Sequence, residues 1–270
     1  MIRRIRTAAT ALLAVAIPHT ALRAQDHHGH LHVSNRWKEC SIQLDPSLTP
    51  AAWKQFTEEA GIVAYFRPIA DARPMGRGRF DLSMMQYKTS IDDAAPAWND
   101  TFVHPDSTHW LFEGDGLKFP GLVGRYGLTD RTDVGVYFTQ SPGANYGFYG
   151  AEVQHAFMDP RESAWGVAAR ISAVSLFGPD DVDLTVAGFD VLASRTIRFN
   201  GWASVSPYAG WSSYLSHSHE KSPVVDLADQ TAAGSFGTMG ATVQLSWMKI
   251  GVEYNAAKVR STSLKIGFGT

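Results

Sequence analysis

The sequence predicts an all-β protein: a meander of about ten antiparallel strands closed into a transmembrane barrel, with a short helical segment before it. Three observations predict this. From Phe80 onward apolar and polar residues alternate with period two, in segments of the length that tilted membrane strands need. Every second connection between those segments is short, and the intervening ones include two long loops. The polar face of the strands is built mostly from Ser, Thr, Gln, Gly and Tyr with a few isolated charges. A sheet facing water on that side carries several Lys and Glu, whereas a confined lumen does not.

The composition supports this reading. The 270 residues carry a net charge of −2 and a pI near 6.5, which leaves no electrostatic footprint for nucleic acid. Mean hydropathy is −0.14, so no bundle of apolar helices is expected to span a bilayer. The one long apolar run is at the start. "MIRRIR", "TAATALLAVAI" and the small residue Ala24 have the polarity and length of an export signal, expected to be cleaved after Ala24 (residues 1–24). Cys40 is the sole cysteine, so the exported chain holds no internal disulfide.

Residues 25–78 form a His-rich tail, a short helix and a linker. In "TPAAWKQFTEEAG", Thr49 is placed to cap the helix, Pro50 to open it and Gly61 to end it. Trp53, Phe56 and Ala60 share one face. That face suits either a periplasmic position or the barrel mouth as a plug, and the sequence does not choose. "RPIADARPMGRGR" reads as a Pro/Gly/Arg linker.

The barrel occupies residues 79–270. Its ten segments are 79–90, 117–128, 134–141, 146–157, 164–176, 184–195, 201–216, 236–247, 250–256 and 262–269. The short connections are "TDRTD", "MDPRES", "TIRFN" and "MK", and an even strand number leaves both barrel termini on the short-turn side. Register follows from keeping apolar residues on one face. A loop at Met248-Lys249 pairs Trp247 with Ile250 and Gln244 with Glu253. Phe157 opposite Trp165 puts Glu152 opposite Arg170. A loop from Thr129 to Asp133 pairs Leu128 with Val134 and sets Arg125 and Tyr137 on the polar face.

Aromatic residues on the apolar face mark where strands meet lipid headgroups. Phe157, Trp165, Trp247 and Phe268 are expected at the short-turn ends, with Tyr149 and Trp211 nearer the opposite ends. His155 falls on the same face and fits only near the interface.

With its exported start, alternating hairpins and final strand "TSLKIGF", the chain resembles bacterial outer-membrane β-barrel proteins over residues 78–270. The last strand alternates Leu264, Ile266 and Phe268, with Gly269 and Thr270 after the aromatic that usually ends such chains. The resemblance implies an architecture and not an activity. It implies outer-membrane lipid as solvent, and periplasmic chaperones and barrel-assembly machinery as partners.

Ten strands imply a narrow lumen, since about eight leave an interior filled by side chains. Its expected charged lining is Arg125, Glu152, Arg170, Asp190, Glu253 and Lys265, with Glu152–Arg170 and Glu253–Lys265 as pairs. Such pairs either select a small polar solute or ion that passes or binds there, or brace a closed barrel. The tail "QDHHGHLH" brings together His27, His28, His30 and His32, which suit adventitious Cu, Ni or Zn; no other cofactor is expected. An alternative is a surface adhesin, or a hydrolase acting through loop groups such as His217, His219, Glu220, Asp180, Asp181, His104, Asp106 and His109. No motif of the ten-stranded outer-membrane proteases is matched, and no catalytic residue is assigned.

Overall fold

The computed structural model describes residues 41–92, 94–103, 117–140, 143–159, 161–163 and 165–269. In chain order the elements are β1 (Ser41–Ile42), α1 (Pro50–Val63), β2 (Phe80–Thr89), α2 (Pro96–Asn99) and β3 (Phe102–Val103). They continue as β4 (Leu117–Gly127), β5 (Thr132–Gln140), β6 (Gly147–Met158), β7 (Trp165–Phe177), β8 (Val182–Arg195) and β9 (Ile197–Asn200). The last are β10 (Ala203–Glu220), β11 (Gln230–Leu245), β12 (Met248–Ala256) and β13 (Ser261–Gly269).

Ten of these strands make a closed antiparallel meander. Each pairs with its neighbour in sequence, β10 pairs with β11, and β13 returns to pair with β2. Closure leaves no long unpaired edge, the condition a sheet must meet in hydrocarbon. The short β9, inside the expected "TIRFN" turn, pairs back onto the start of β10.

Alternation of burial follows the alternation in sequence. In β2 and β13 exposed and buried positions alternate, with only Lys88 and Gly269 intermediate. The outward residues are apolar: Met84, Val136, Ile171, Leu215, Val252 and Ile266 are all exposed. The inward ones are polar: Ser83, Gln154, Ser212, Thr238, Asn255 and Ser263 are all buried. A soluble sheet has the reverse arrangement.

Three registers differ from those expected, and none of the differences flips a face. The β11–β12 turn is Ser246-Trp247, not Met248-Lys249, so Val243 faces Ile250 and Gly240 faces Glu253. Ser246 takes a φ of 54°, the left-handed conformation that a two-residue hairpin requires. Arg170 lies opposite Gln154 and not Glu152, and Tyr126 lies opposite Val134. An even slip keeps apolar residues outside, so the binary pattern alone cannot detect it.

The helix also differs at its end. Thr49 caps it, accepting from the Ala52 N–H at 3.2 Å, with Pro50 in its first turn. Gly61 does not end it; α1 runs on to Val63. A Cβ on Gly61 would collide with the Tyr214 ring and the Ser216 side chain, so glycine serves close approach to β10.

Between α1 and β2 the chain takes an unexpected course. α1 lies at the long-loop end, where Trp53 Nε1 donates to the Ala228 carbonyl and Lys258 pairs with Glu58. β1 and β3 pair at that same end, where the Asn145 side-chain amide accepts from the Ile42 N–H through Oδ1 and donates to the Ile42 carbonyl through Nδ2. β2 starts at the opposite, short-turn end, beside Gly127. Residues 64–76 therefore run lengthwise through the lumen. At full extension these residues reach roughly 40 Å, enough to cross an apolar band about 25 Å tall.

Candidate functional site: the plugged lumen and its basic mouth

A segment threaded through a barrel must find partners for its backbone polar groups, because it is buried away from bulk solvent. The lumen side chains supply them. Arg170 Nη2 donates to the Phe66 carbonyl, and Lys265 Nζ donates to the Pro68 carbonyl at 3.4 Å. Glu253 accepts from the Ile69 N–H at 2.9 Å, Ser194 from Ala72 at 3.2 Å and Asp133 from Met75 at 3.1 Å. Arg67 reaches outward to Asn255 and Thr89, and Thr242 donates to Asp71. These partners come from β2, β5, β7, β8, β11, β12 and β13.

Aromatic packing adds to the seal. Phe66 stacks on Tyr137 at 5.2 Å, and Tyr65 meets the edge of Phe236 at 5.1 Å. The Arg67 guanidinium sits 4.1 Å over the Tyr87 ring. Ile69, fully buried, has a φ of 40°. A β-branched residue adopts that conformation only where its surroundings impose it. Here the Glu253 carboxylate holds its amide.

The six charged lumen residues expected from sequence all point inward and are all buried. Four of them form one cluster. Arg170 bonds Glu152 at 2.6 Å and Asp190 at 2.6 Å, and Arg125 Nε lies 2.8 Å from Glu152. Glu152 reaches Arg170 diagonally, since the two are not opposite each other. Ser212 completes Asp190 at 2.6 Å. The expected Glu253–Lys265 pair is not formed: Gly251 lies opposite Lys265, and Ser263 opposite Glu253. Both charges instead serve the backbone of the threaded segment, which would otherwise be left with unpaired groups. Tyr208 and Asn255 also bond Glu253.

At the short-turn end the interior widens into a cavity of about 320 Å³. It is lined by Arg73, Arg79, Arg125, Arg161, Arg198 and Lys249, by the acids Asp71 and Asp81, and by Phe80 and Trp247 at its rim. Arg161 is fixed from the β6–β7 turn, donating through Nε to Asp159 at 2.7 Å. Burial pushes the Asp159 carboxyl up, but its bonds from the Arg161 side chain and backbone hold it below the ordinary aspartate value.

The outer surface is apolar around the barrel. The aromatics Phe157, Trp165, Trp247 and Phe268 are exposed at the short-turn ends of their strands or, for Trp247, in the turn itself. Tyr149 is exposed near the long-loop end of β6. Trp211 is exposed but sits mid-strand, because β10 runs on to Glu220 and not to residue 216. Phe80, Tyr126, Phe199 and Trp202 extend the short-turn belt, although the alternation pattern did not single them out. His155 is exposed beside them, bonded to Thr132 at 3.0 Å and edge-on to Phe157. A band this apolar on every strand is stable only against lipid.

The protein is a membrane β-barrel of the bacterial outer-membrane type.

No family model matches the sequence, and no curated protein matches it. Solved structures to which the chain is similar include Ail of Yersinia pestis, 12% identical, spanning 72% of this chain and 99% of that one, with a TM-score of 0.31. The β domain of the Bordetella autotransporter BrkA is 12% identical over 71% of this chain and 98% of that one, with a TM-score of 0.41. The KdgM porin is 6% identical over 70% of this chain and 98% of that one, with a TM-score of 0.30.

Of the described loop groups considered for hydrolysis, His217 and His219 share one acid. His219 bonds Asp229 at 2.6 Å and His217 lies 4.0 Å from it, exposed at the long-loop end. Asp181 is engaged by the Leu44 N–H at 3.0 Å. His104, Asp106 and His109, like the candidate metal ligands His27, His28, His30 and His32, lie outside the described residues. Among the described residues no group of three metal-binding side chains converges.

Proposed function

We propose that the protein is an integral outer-membrane barrel held shut by its own chain, which binds a small polar solute at its mouth and does not pass solutes freely. One observation carries this reading: residues 64–76 occupy the lumen and are bonded there by side chains of seven strands. Outer-membrane barrels place their longer loops outside, so the α1 end faces the exterior and the basic cavity faces the periplasm. Residues 1–24 act as the export signal, and residues 41–78 belong with the barrel as its plug and strap. The exposed apolar band cannot cross an aqueous compartment uncovered, which calls for periplasmic chaperones and barrel-assembly machinery.

Conductance in planar bilayers tests the proposal. The intact barrel is expected to be electrically silent, and replacing residues 64–75 with a Gly/Ser linker of equal length to open steady ion conductance. Steady conductance from the intact, heat-modifiable protein would refute it.

A further inference from the structure

The cavity at the short-turn mouth has an excess of cations that the plug and barrel do not consume. Arg73 is paired with Asp71 at 3.2 Å, Lys249 with Asp81 at 3.2 Å, and Arg161 with Asp159. Arg79 and Arg198 have no acid partner among the described residues, and both are exposed at the rim.

Arg125 adds an independent observation. Its side chain is 6% exposed and lines the same cavity. Its Nη2 lies 3.9 Å from Asp133, and neither Nη2 nor Nε, despite its closeness to Glu152, completes a hydrogen bond. A buried guanidinium nitrogen without an acceptor leaves a donor unused, which is costly. The space next to it is open and bordered by further guanidinium groups. Planar guanidinium forks match the oxygens of phosphate better than a point charge does. The volume exceeds that of an inorganic anion and lies at the lower end of small-molecule pockets, typically about 300–1,000 Å³.

We infer that this cavity binds a phosphate group carried on a small organic body, either a soluble phosphomonoester or the headgroup of a phospholipid. Arg125 anchors the anion from within, and Arg79 and Arg198 close on it from the rim. Phe80 and Trp247, 44% and 66% exposed at that rim, offer apolar surface to the rest of the ligand. This deepens the binding reading above by naming its ligand class, and its test is separate from the conductance test. A silent barrel that binds no phosphate refutes the site and leaves the plug intact.

The test uses the full barrel folded in detergent, with glycerol phosphate titrated by calorimetry. In parallel, protein taken from phosphatidylglycerol vesicles is weighed by native mass spectrometry for retained lipid. The variants are the double substitution R79Q/R198Q and, as a control for diffuse charge, R77Q, which lies outside the cavity lining. Saturable binding of the soluble ester, weakened roughly ten-fold or more in R79Q/R198Q and unchanged in R77Q, assigns a free phosphomonoester. Retained lipid with the same dependence, and no binding of the ester, assigns the headgroup. Absence of both, or equal loss in R77Q, overturns the proposal.

Discussion

Replacing Arg170 with Met should destabilise the barrel by about 3–5 kcal/mol, the cost of leaving buried charge without its partner. The Arg170 side chain is 0% exposed and bonds three groups: Glu152, Asp190 and the Phe66 carbonyl. Without it Glu152 keeps Arg125 at 2.8 Å, but Asp190 keeps only hydroxyl support from Ser212. Asp190 is the group left exposed to the full penalty. Adding Asp190→Asn removes that charge, so the double variant should recover about 2 kcal/mol of the loss, and the two substitutions should be clearly non-additive. Urea unfolding of the refolded protein, followed by Trp fluorescence and heat-modifiable mobility, measures all three stabilities. A loss under about 1 kcal/mol for Arg170→Met would mean that water hydrates this cluster, and the sealed-lumen argument would fail.

Ile171→Arg, midway along β7 and exposed, should cost about 2–4 kcal/mol in vesicles if it faces lipid near mid-depth, and almost nothing if it faces water; unfolding in bilayers distinguishes the two. Gly61→Leu should push α1 off Tyr214 at a cost of about 1–3 kcal/mol, seen as faster proteolysis of α1 with the barrel's gel mobility retained. Asp159 has a folded pKa below its unfolded one, so its contribution is fully present above the ordinary aspartate value of 3.8 and fades only as pH falls through the lower folded value. Protection of the Arg161 amide, which Asp159 accepts at 2.8 Å, should follow that course and be lost at every pH in Asp159→Asn. Ser47→Cys, made in a Cys40→Ser background, should react with an impermeant maleimide on intact cells. Labelling only after lysis would place the α1 end on the inner side.

The outer contour of the molecule was legible because lipid imposes a local rule. Each residue of β2 or β13 faces hydrocarbon or lumen according to its parity, so strand positions and the inward direction of Arg125, Glu152, Arg170, Asp190, Glu253 and Lys265 follow from alternation alone. The same rule is blind to even slips, which is why the pairings around Ser246-Trp247, Glu152 and Tyr126 came out displaced while no face was reversed. The helix cap at Thr49 is equally local and was readable.

What fills the lumen was not readable. "RPIADARPMGRGR" has the composition of a solvated linker, yet its first six residues are buried inside the barrel. Its conformation is set by Glu253, Lys265, Thr242 and Ser194, each more than a hundred residues away in sequence. Periodicity reports the two environments that a strand separates, and it carries no information about which distant groups will meet across an enclosed space. Alternation therefore determined that there is a barrel and which side chains line it. Only closure of the sheet decided that the lining binds the chain's own backbone, and that a cluster of arginines is left over at one mouth.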